Sequence, residues 1–163
     1  MSYIRNYFLI QLRLKGVYKY IILEEINLII LFFQGDITLE GLKIMKSNLF
    51  HDKHFNPKYN VLGDLRLSKN NFTIKEVEKY GKWFEEQLKF QSLSLKAILT
   101  STPRQVVQAT IFSLKNNLKK NNYEVFSTLE GSLKYLQIDF SHIEIIKIEI
   151  KKMKFLPPIS TVF

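Results

Sequence analysis

The sequence predicts an α/β fold: a single domain with a mixed five-stranded sheet that starts with a β-hairpin and continues as alternating helices and strands. Three observations carry this. Val17 to Glu24 alternates, with Tyr18, Tyr20 and Ile22 on one side, and the almost wholly apolar stretch Asn27 to Phe33 follows directly, as two strands joined by a tight turn do. Two capping boxes, Thr73 with Glu76 and Thr102 with Gln105, each come after a short apolar segment. The resulting order, β, β, α, β, α, β, α, β, α, implies a sheet whose later strands are parallel and joined by right-handed crossovers.

The hairpin turn falls at Glu24 to Asn27, and the second strand, apolar on both sides, should be the more buried. Gly35 and Asp36 break it. Thr38 then caps a helix to about Phe50 with Leu42, Met45 and Leu49 on one face, and Ile37 and Leu42 are placed for a hydrophobic staple. A loop containing Pro57 leads to a short buried strand, Asn60 to Leu65, followed by a polar loop. The helix opened by Thr73, with Phe72 and Val77 as its staple, runs to about Phe90 and carries Val77, Tyr80, Phe84 and Leu88 inward. Leu95 to Ser101 is the next strand. Pro103 at the first helical position starts a helix to about Lys120 with Val107, Ile111, Leu114 and Leu118 inward. Tyr123 to Phe126 is the last strand, and Ser127 with Glu130 caps a last helix containing Leu133 and Leu136. TLEG occurs at Thr38 and again at Thr128, two helix starts using the same chemistry.

Residues 1–16 form an N-terminal extension, a helix or an extra strand. Residues 137–163 form a C-terminal amphipathic tail that fits both periods: Ile143, Ile146, Ile150 and Met153 suit a helix, whereas Ile146, Ile148 and Ile150 alternate as in a strand. Pro157 and Pro158 end whichever forms.

With 163 residues, 46% hydrophobic and 13% aromatic, the chain is long enough to bury one core and too apolar for disorder over most of its length. Cysteine is absent, which removes disulfides, thiolate nucleophiles and cysteine-based zinc sites and fits a reducing, cytoplasmic setting. The longest apolar run, Leu28 to Phe33, is too short to span a bilayer, and no signal peptide is read at the N-terminus. The net charge of +9 is spread thinly, with twenty lysines against four arginines. Base readout and bidentate phosphate contacts favour arginine, so nucleic acid is disfavoured as a partner. The densest basic groups, Lys115, Lys119 and Lys120 and then Lys147, Lys151, Lys152 and Lys154, read as solvated faces.

GDIT at Gly35 to Thr38, GDLR at Gly63 to Arg66, the TPRQ helix start at Thr102 and the closing YEVFSTLEGSLKYL at Tyr123 to Leu136 follow the hairpin in order. Together they resemble the SpoIIAA-like branch of STAS domains over residues 17–136. The resemblance implies a small domain with a mixed sheet backed by helices on one face, similar also to CRAL-TRIO lipid-transfer domains. It implies binding, signalling or partner recognition without catalysis. In the anti-sigma-factor antagonists of this superfamily a DSSG-like motif opens the helix after the central strand, and its first serine is phosphorylated. Here the place reads NFTIK: Thr73 falls at the hydroxyl, Phe72 replaces the aspartate and no glycine follows. Thr73 is thus the phosphorylation site that the resemblance implies, while its role as N-cap accounts for it without modification.

In open α/β sheets, ligands collect beyond the carboxyl ends of parallel strands, where helix N-termini offer free N–H groups. Those ends carry Asp64 and Arg66 on one strand and Thr100 and Ser101 on another, beside the helix starts at Thr73 and Thr102. Arg104 stands in a first helical turn, where a cation is unfavourable unless it meets an anion or a carboxylate. Asp64, Arg66, Ser101, Thr102 and Arg104 are therefore the candidate site for a phosphate or carboxylate anion. The structural alternative is an ion pair of Asp64 with Arg66 or Arg104 that ties loops together. His51, Asp52 and His54 place metal donors close together but read as solvated, and no metal or cofactor is assigned. There is no nucleophile elbow, Walker loop or dinucleotide fingerprint. Asp64, or Glu85 with Glu86, is weighed for acid–base work, and no catalytic residue is assigned. Two functions follow. One is a non-enzymatic module that recognises a protein partner or forms a homodimer, with the basic tail as docking segment. The other is a carrier of a lipid or other apolar small ligand, with a cavity built from aromatics such as Phe32, Tyr80, Phe84 and Phe112.

Overall fold

In the computed structural model, which describes residues 8–10, 16–87, 94–115 and 122–155, six strands form one mixed sheet in chain order. They are β1 (Phe8–Ile10), β2 (Gly16–Leu23), β3 (Leu28–Ile37), β4 (Asn60–Asn70), β5 (Lys96–Leu99) and β6 (Tyr123–Phe126). β1, β2 and β3 pair antiparallel, and β3 through β6 pair parallel. All five expected strands form, and the N-terminal extension adds β1 as a short edge strand on β2. Five α-helices accompany them: α1 (Leu39–His51), α2 (Ile74–Glu86), α3 (Pro103–Lys115), α4 (Leu129–Tyr135) and α5 (Ile143–Phe155).

The crossovers through α1, α2 and α3 all step the same way across the sheet, so crossovers of one hand put these helices on one face. After β6 the chain doubles back as α4 and α5 onto the other face, whose core joins Ile21, Ile30, Phe32, Leu62 and Leu99 to Leu133, Ile146 and Met153. Both faces are covered, whereas the resemblance implied helices on one. This explains the apolar run in β3: Leu28, Ile30 and Phe32 face α4 and α5, while Ile29, Leu31 and Phe33 face α1. Of its two periods the tail takes the helical one, and Ile146, Ile150 and Met153 are buried against its own sheet. The apolar stripe of the tail is thereby used in the core. The fully buried Glu149 pairs with Lys152 at 3.0 Å, and the Lys19 ammonium donates to the Met153 carbonyl.

The helix starts follow the expected chemistry. Thr38 Oγ1 and Thr128 Oγ1 each accept from the glycine N–H three residues on, both at 3.1 Å, so the repeated TLEG builds the same cap on opposite faces of the sheet. The cap of α4 is therefore Thr128 and not Ser127. Thr38 N–H also donates to the Tyr18 hydroxyl at 2.6 Å, and a Cβ on Gly41 would lie 2.2 Å from that ring, so only glycine lets α1 begin there.

Two strands run further than expected, and one helix is turned. β3 passes through Gly35, at φ 76°, a left-handed conformation open to glycine, and pairs as far as Ile37. β4 continues to Asn70 because a bulge opposite Phe33 absorbs the break in alternation: Phe32 pairs Asp64, but Gln34 pairs Leu67. On α3, Val107 is 55% exposed and the buried residues are Gln105, Ala109 and Ser113, because the buried glutamine fixes how the helix is turned. Leu88, Leu118 and the basic pair Lys119 and Lys120 lie outside the described residues, as do Pro157 and Pro158.

Candidate ligand site

The predicted polar cluster forms around the β4 bulge. Asp64 is 2% exposed and its carboxylate accepts from Arg66 three times: from the backbone N–H at 3.1 Å, from Nε at 2.9 Å and from Nη2 at 2.7 Å. The carboxylate holds the guanidinium above its ordinary pKa, against the opposing effect of burial. The bulge sets this geometry, since Asp64 and Arg66 lie in mid-strand and not at a strand end.

A bulge leaves carbonyls without ladder partners, and α3 supplies them. Gln105 Nε2 donates to Leu65 O at 2.8 Å, Ser68 O at 3.0 Å and Arg66 O at 3.3 Å, and Ser101 Oγ also reaches Arg66 O at 3.2 Å. The Gln105 Oε1 turns the other way and accepts from the N–H groups of Ser101 at 2.8 Å and Thr102 at 3.2 Å. Gln105 N–H donates to Thr102 Oγ1 at 3.2 Å, completing the expected capping box. The helix N–H groups that an anion would use are thus bonded to the chain itself. Asp64, Arg66 and Ser101 come together; Thr102 is the cap beside them; Arg104 departs and donates to Asn71 Oδ1. On α2, Thr73 and Glu76 form the full box, with Thr73 Oγ1 and N–H both donating to Glu76 Oε2 at 2.8 Å. The Thr73 hydroxyl is exposed, but a phosphate there would meet the Glu76 carboxylate.

The histidine loop also turns inward to the chain. His51 Nδ1 bonds Ser47 O at 2.7 Å, His54 Nδ1 meets Glu24 at 2.7 Å, and Asp52 accepts from Tyr20 at 2.9 Å. Among the described residues no group of three metal-ligating side chains converges.

Asp64, Arg66 and Ser101 also line an open pocket of about 880 Å³, together with Lys147, Lys151 and Lys154 of α5. A smaller and mostly apolar space lies on the other face, between the sheet and α1, α2 and α3. It is a partly open cavity of about 120 Å³. Leu31, Val61, Leu65 and Ile98 floor it, and Leu42, Phe72, Tyr80, Phe84, Ala109 and Phe112 wall it. Three of the four aromatics read as cavity formers, Tyr80, Phe84 and Phe112, line it, with Tyr80 stacked on Phe84 at 6.1 Å and tilted against Phe112 at 5.2 Å. Phe32 does not: strand alternation sends it into the core under α4 and α5. The bulge matters here too. Without the extra residue Asn70 would share the face of Asp64; with it, Asn70 lines the cavity, and its Oδ1 is buried without a hydrogen-bond partner.

Five polar side chains besides Asn70 line this apolar space: Lys46, Lys96, Gln108, Tyr80 and Tyr123. Burial, then the charge of Lys96, lowers the Lys46 pKa to about 8, and burial lowers that of Lys96. Burial raises both tyrosines, so their hydroxyls stay protonated. Reading by apolar stripe missed both lysines, although each leaves a signal. Lys46 stands four residues after Leu42 on the inward face of α1, and Lys96 occupies a cavity-facing position of the short strand β5. No helix among the described residues is long and apolar enough to cross a membrane. No protein-family model and no curated protein sequence matches this chain.

Proposed function

We propose that this chain is a non-enzymatic binding module that holds a small ligand with an apolar body in the cavity between its sheet and α1, α2 and α3. The observation that carries this is empty, aromatic-lined space where a core should be filled. A cavity of about 150 Å³ holds one benzene ring, so the volume suits a single ring or a short chain and not a two-chain lipid. The resemblance to SpoIIAA-like STAS domains supports binding over catalysis. Calorimetry with neutral and anionic single-ring compounds tests the reading. Binding that disappears in Ala109→Leu, which fills the cavity, is expected; no binding by any of them sinks it.

Partner recognition is a second reading, favoured by apolar side chains left outside on neighbouring helices: Ile74 on α2 and Val107 on α3 are each 55% exposed. Sedimentation of the pure protein checks self-association, and a sedimentation coefficient that stays at the monomer value over a hundredfold dilution series removes the homodimer.

A further inference from the structure

The open pocket on the face of α4 and α5 differs from the apolar cavity in residues and in chemistry, and it lies where the chain changes faces. The parallel neighbours β5 and β6 end side by side, with the Thr100 N–H donating to the Phe126 carbonyl at 2.9 Å. From there α3 leaves β5 for one face of the sheet and α4 leaves β6 for the other. A change of side beyond the carboxyl ends of parallel strands leaves a crevice between the departing loops, and ligands of open α/β sheets gather in such crevices. Ser101 and Ser127, one from each loop, line the pocket, whose volume of about 880 Å³ is that of a small-molecule site. Lys147, Lys151 and Lys154 line it too, all three exposed and spaced four and three residues apart on one side of α5. Two acids share the lining. Asp64 is already gripped by Arg66, whereas Glu130 opposes an anion, so three lysines face one carboxylate outside that pair. Lys147 also meets Glu144 at 3.0 Å, but that pair is exposed and weak. The excess of positive charge suits a group with two negative charges, as a phosphate monoester carries near pH 7. Hydroxyl donors stand nearby. Ser127 makes no side-chain hydrogen bond among the described residues, and Thr128 Oγ1, which accepts from Gly131 N–H, keeps its own proton to donate. Leu67 and Phe155 in the same lining are exposed, and an aromatic body laid on them would take apolar surface out of water.

We propose that this crevice is a second binding site, one for a small phosphate monoester with an aromatic body, its phosphate held by the lysines of α5 and the Ser127 hydroxyl and its ring against Leu67 and Phe155. The test is calorimetric titration of the full chain at pH 7 with phenyl phosphate, inorganic phosphate and benzyl alcohol, repeated on Lys151→Ala, Glu130→Gln and Phe155→Ala. The three replaced side chains are exposed, so the variants should keep the fold. Phenyl phosphate is expected to bind wild type at least roughly tenfold more tightly than either of the other two. Lys151→Ala should weaken it about threefold, and Glu130→Gln should tighten it about threefold because the opposing carboxylate is gone. Phe155→Ala should narrow its advantage over inorganic phosphate. Ala109→Leu, which fills the apolar cavity, should leave it unchanged; loss of phenyl phosphate binding in that variant puts the ester in the cavity and overturns the crevice site. No heat from phenyl phosphate overturns it as well, whatever the cavity binds. Phenyl phosphate no tighter than inorganic phosphate overturns the aromatic body, and binding that neither Lys151→Ala nor Glu130→Gln alters overturns the placement. Vesicles of phosphatidylcholine with phosphatidic acid carry the same phosphate on a lipid. Pelleting of the chain with them when phenyl phosphate gives no heat overturns the free ester in favour of a lipid headgroup.

Discussion

The two faces of the sheet treat buried charge in opposite ways. On the face covered by α4 and α5, Asp64 is gripped by Arg66 through both carboxylate oxygens and Glu149 is paired with Lys152. On the face covered by α1, α2 and α3, Lys46 and Lys96 line an apolar cavity with no acid among its described lining, and Lys96 Nζ donates to the Ser94 carbonyl at 3.0 Å. Paired charge is architecture, because each ion replaces lost hydration with a partner. The cavity on the second face is the more enclosed and the more apolar, and this is why it, and not the open polar pocket beside Asp64 and Arg66, is the candidate site for an apolar ligand.

Substitutions should therefore act with opposite sign on the two faces. The largest effect is expected from Arg66→Ala, which strands the buried Asp64 carboxylate. A loss of about 3 kcal/mol in urea unfolding is expected, at the low end for breaking a buried pair because Arg66 is partly exposed. A change under 1 kcal/mol would mean that water already supports Asp64.

Lys46→Met should stabilise. Lys46 releases its proton at about pH 8 when folded and at 10.5 otherwise, so between those values the unfolded chain binds more protons and stability climbs as pH rises. Below pH 8 the penalty is fully present. Removing it should gain on the order of 2 kcal/mol at pH 7, after discounting for partial exposure, and the gain should vanish above pH 10.5. Unfolding curves of the variant and wild type that stay parallel from pH 7 to 10.5 would show that Lys46 is solvated, and the contrast between the faces would shrink.

The smallest effect uses the TLEG repeat as an internal control. Thr128→Ala should cost about 1 kcal/mol as a lost N-cap. Thr38→Ala should cost roughly 0.5 kcal/mol more, since its hydroxyl also meets that of Tyr18 at 3.2 Å. Equal losses in thermal unfolding would mean that the Tyr18 contact adds nothing.

Much of this fold is legible along the chain because it rests on local patterns. Hairpin, capping boxes and strand alternation are each written within a few residues, and Tyr80 and Phe84 reach the cavity by helical spacing alone. The site was less legible. Asp64 and Arg66 stand out as charged residues after an apolar strand, but the bulge that keeps them in mid-strand depends on Gln105, some forty residues on, to satisfy its carbonyls. That glutamine also turns α3 so that Val107 faces solvent, against its hydropathy.

By itself the sequence determined the α/β class, the helix starts and the strand that is buried twice, because propensity, capping and periodicity act between near neighbours. Only the tertiary structure decided which charges would be partnered. The bulge in β4 sends Asn70 to the cavity, the crossovers bring Lys46 beside Lys96, and the return of α5 closes the opposite face. Charge pairing and empty volume depend on distances between segments far apart in the chain, and those distances exist only once the chain has folded.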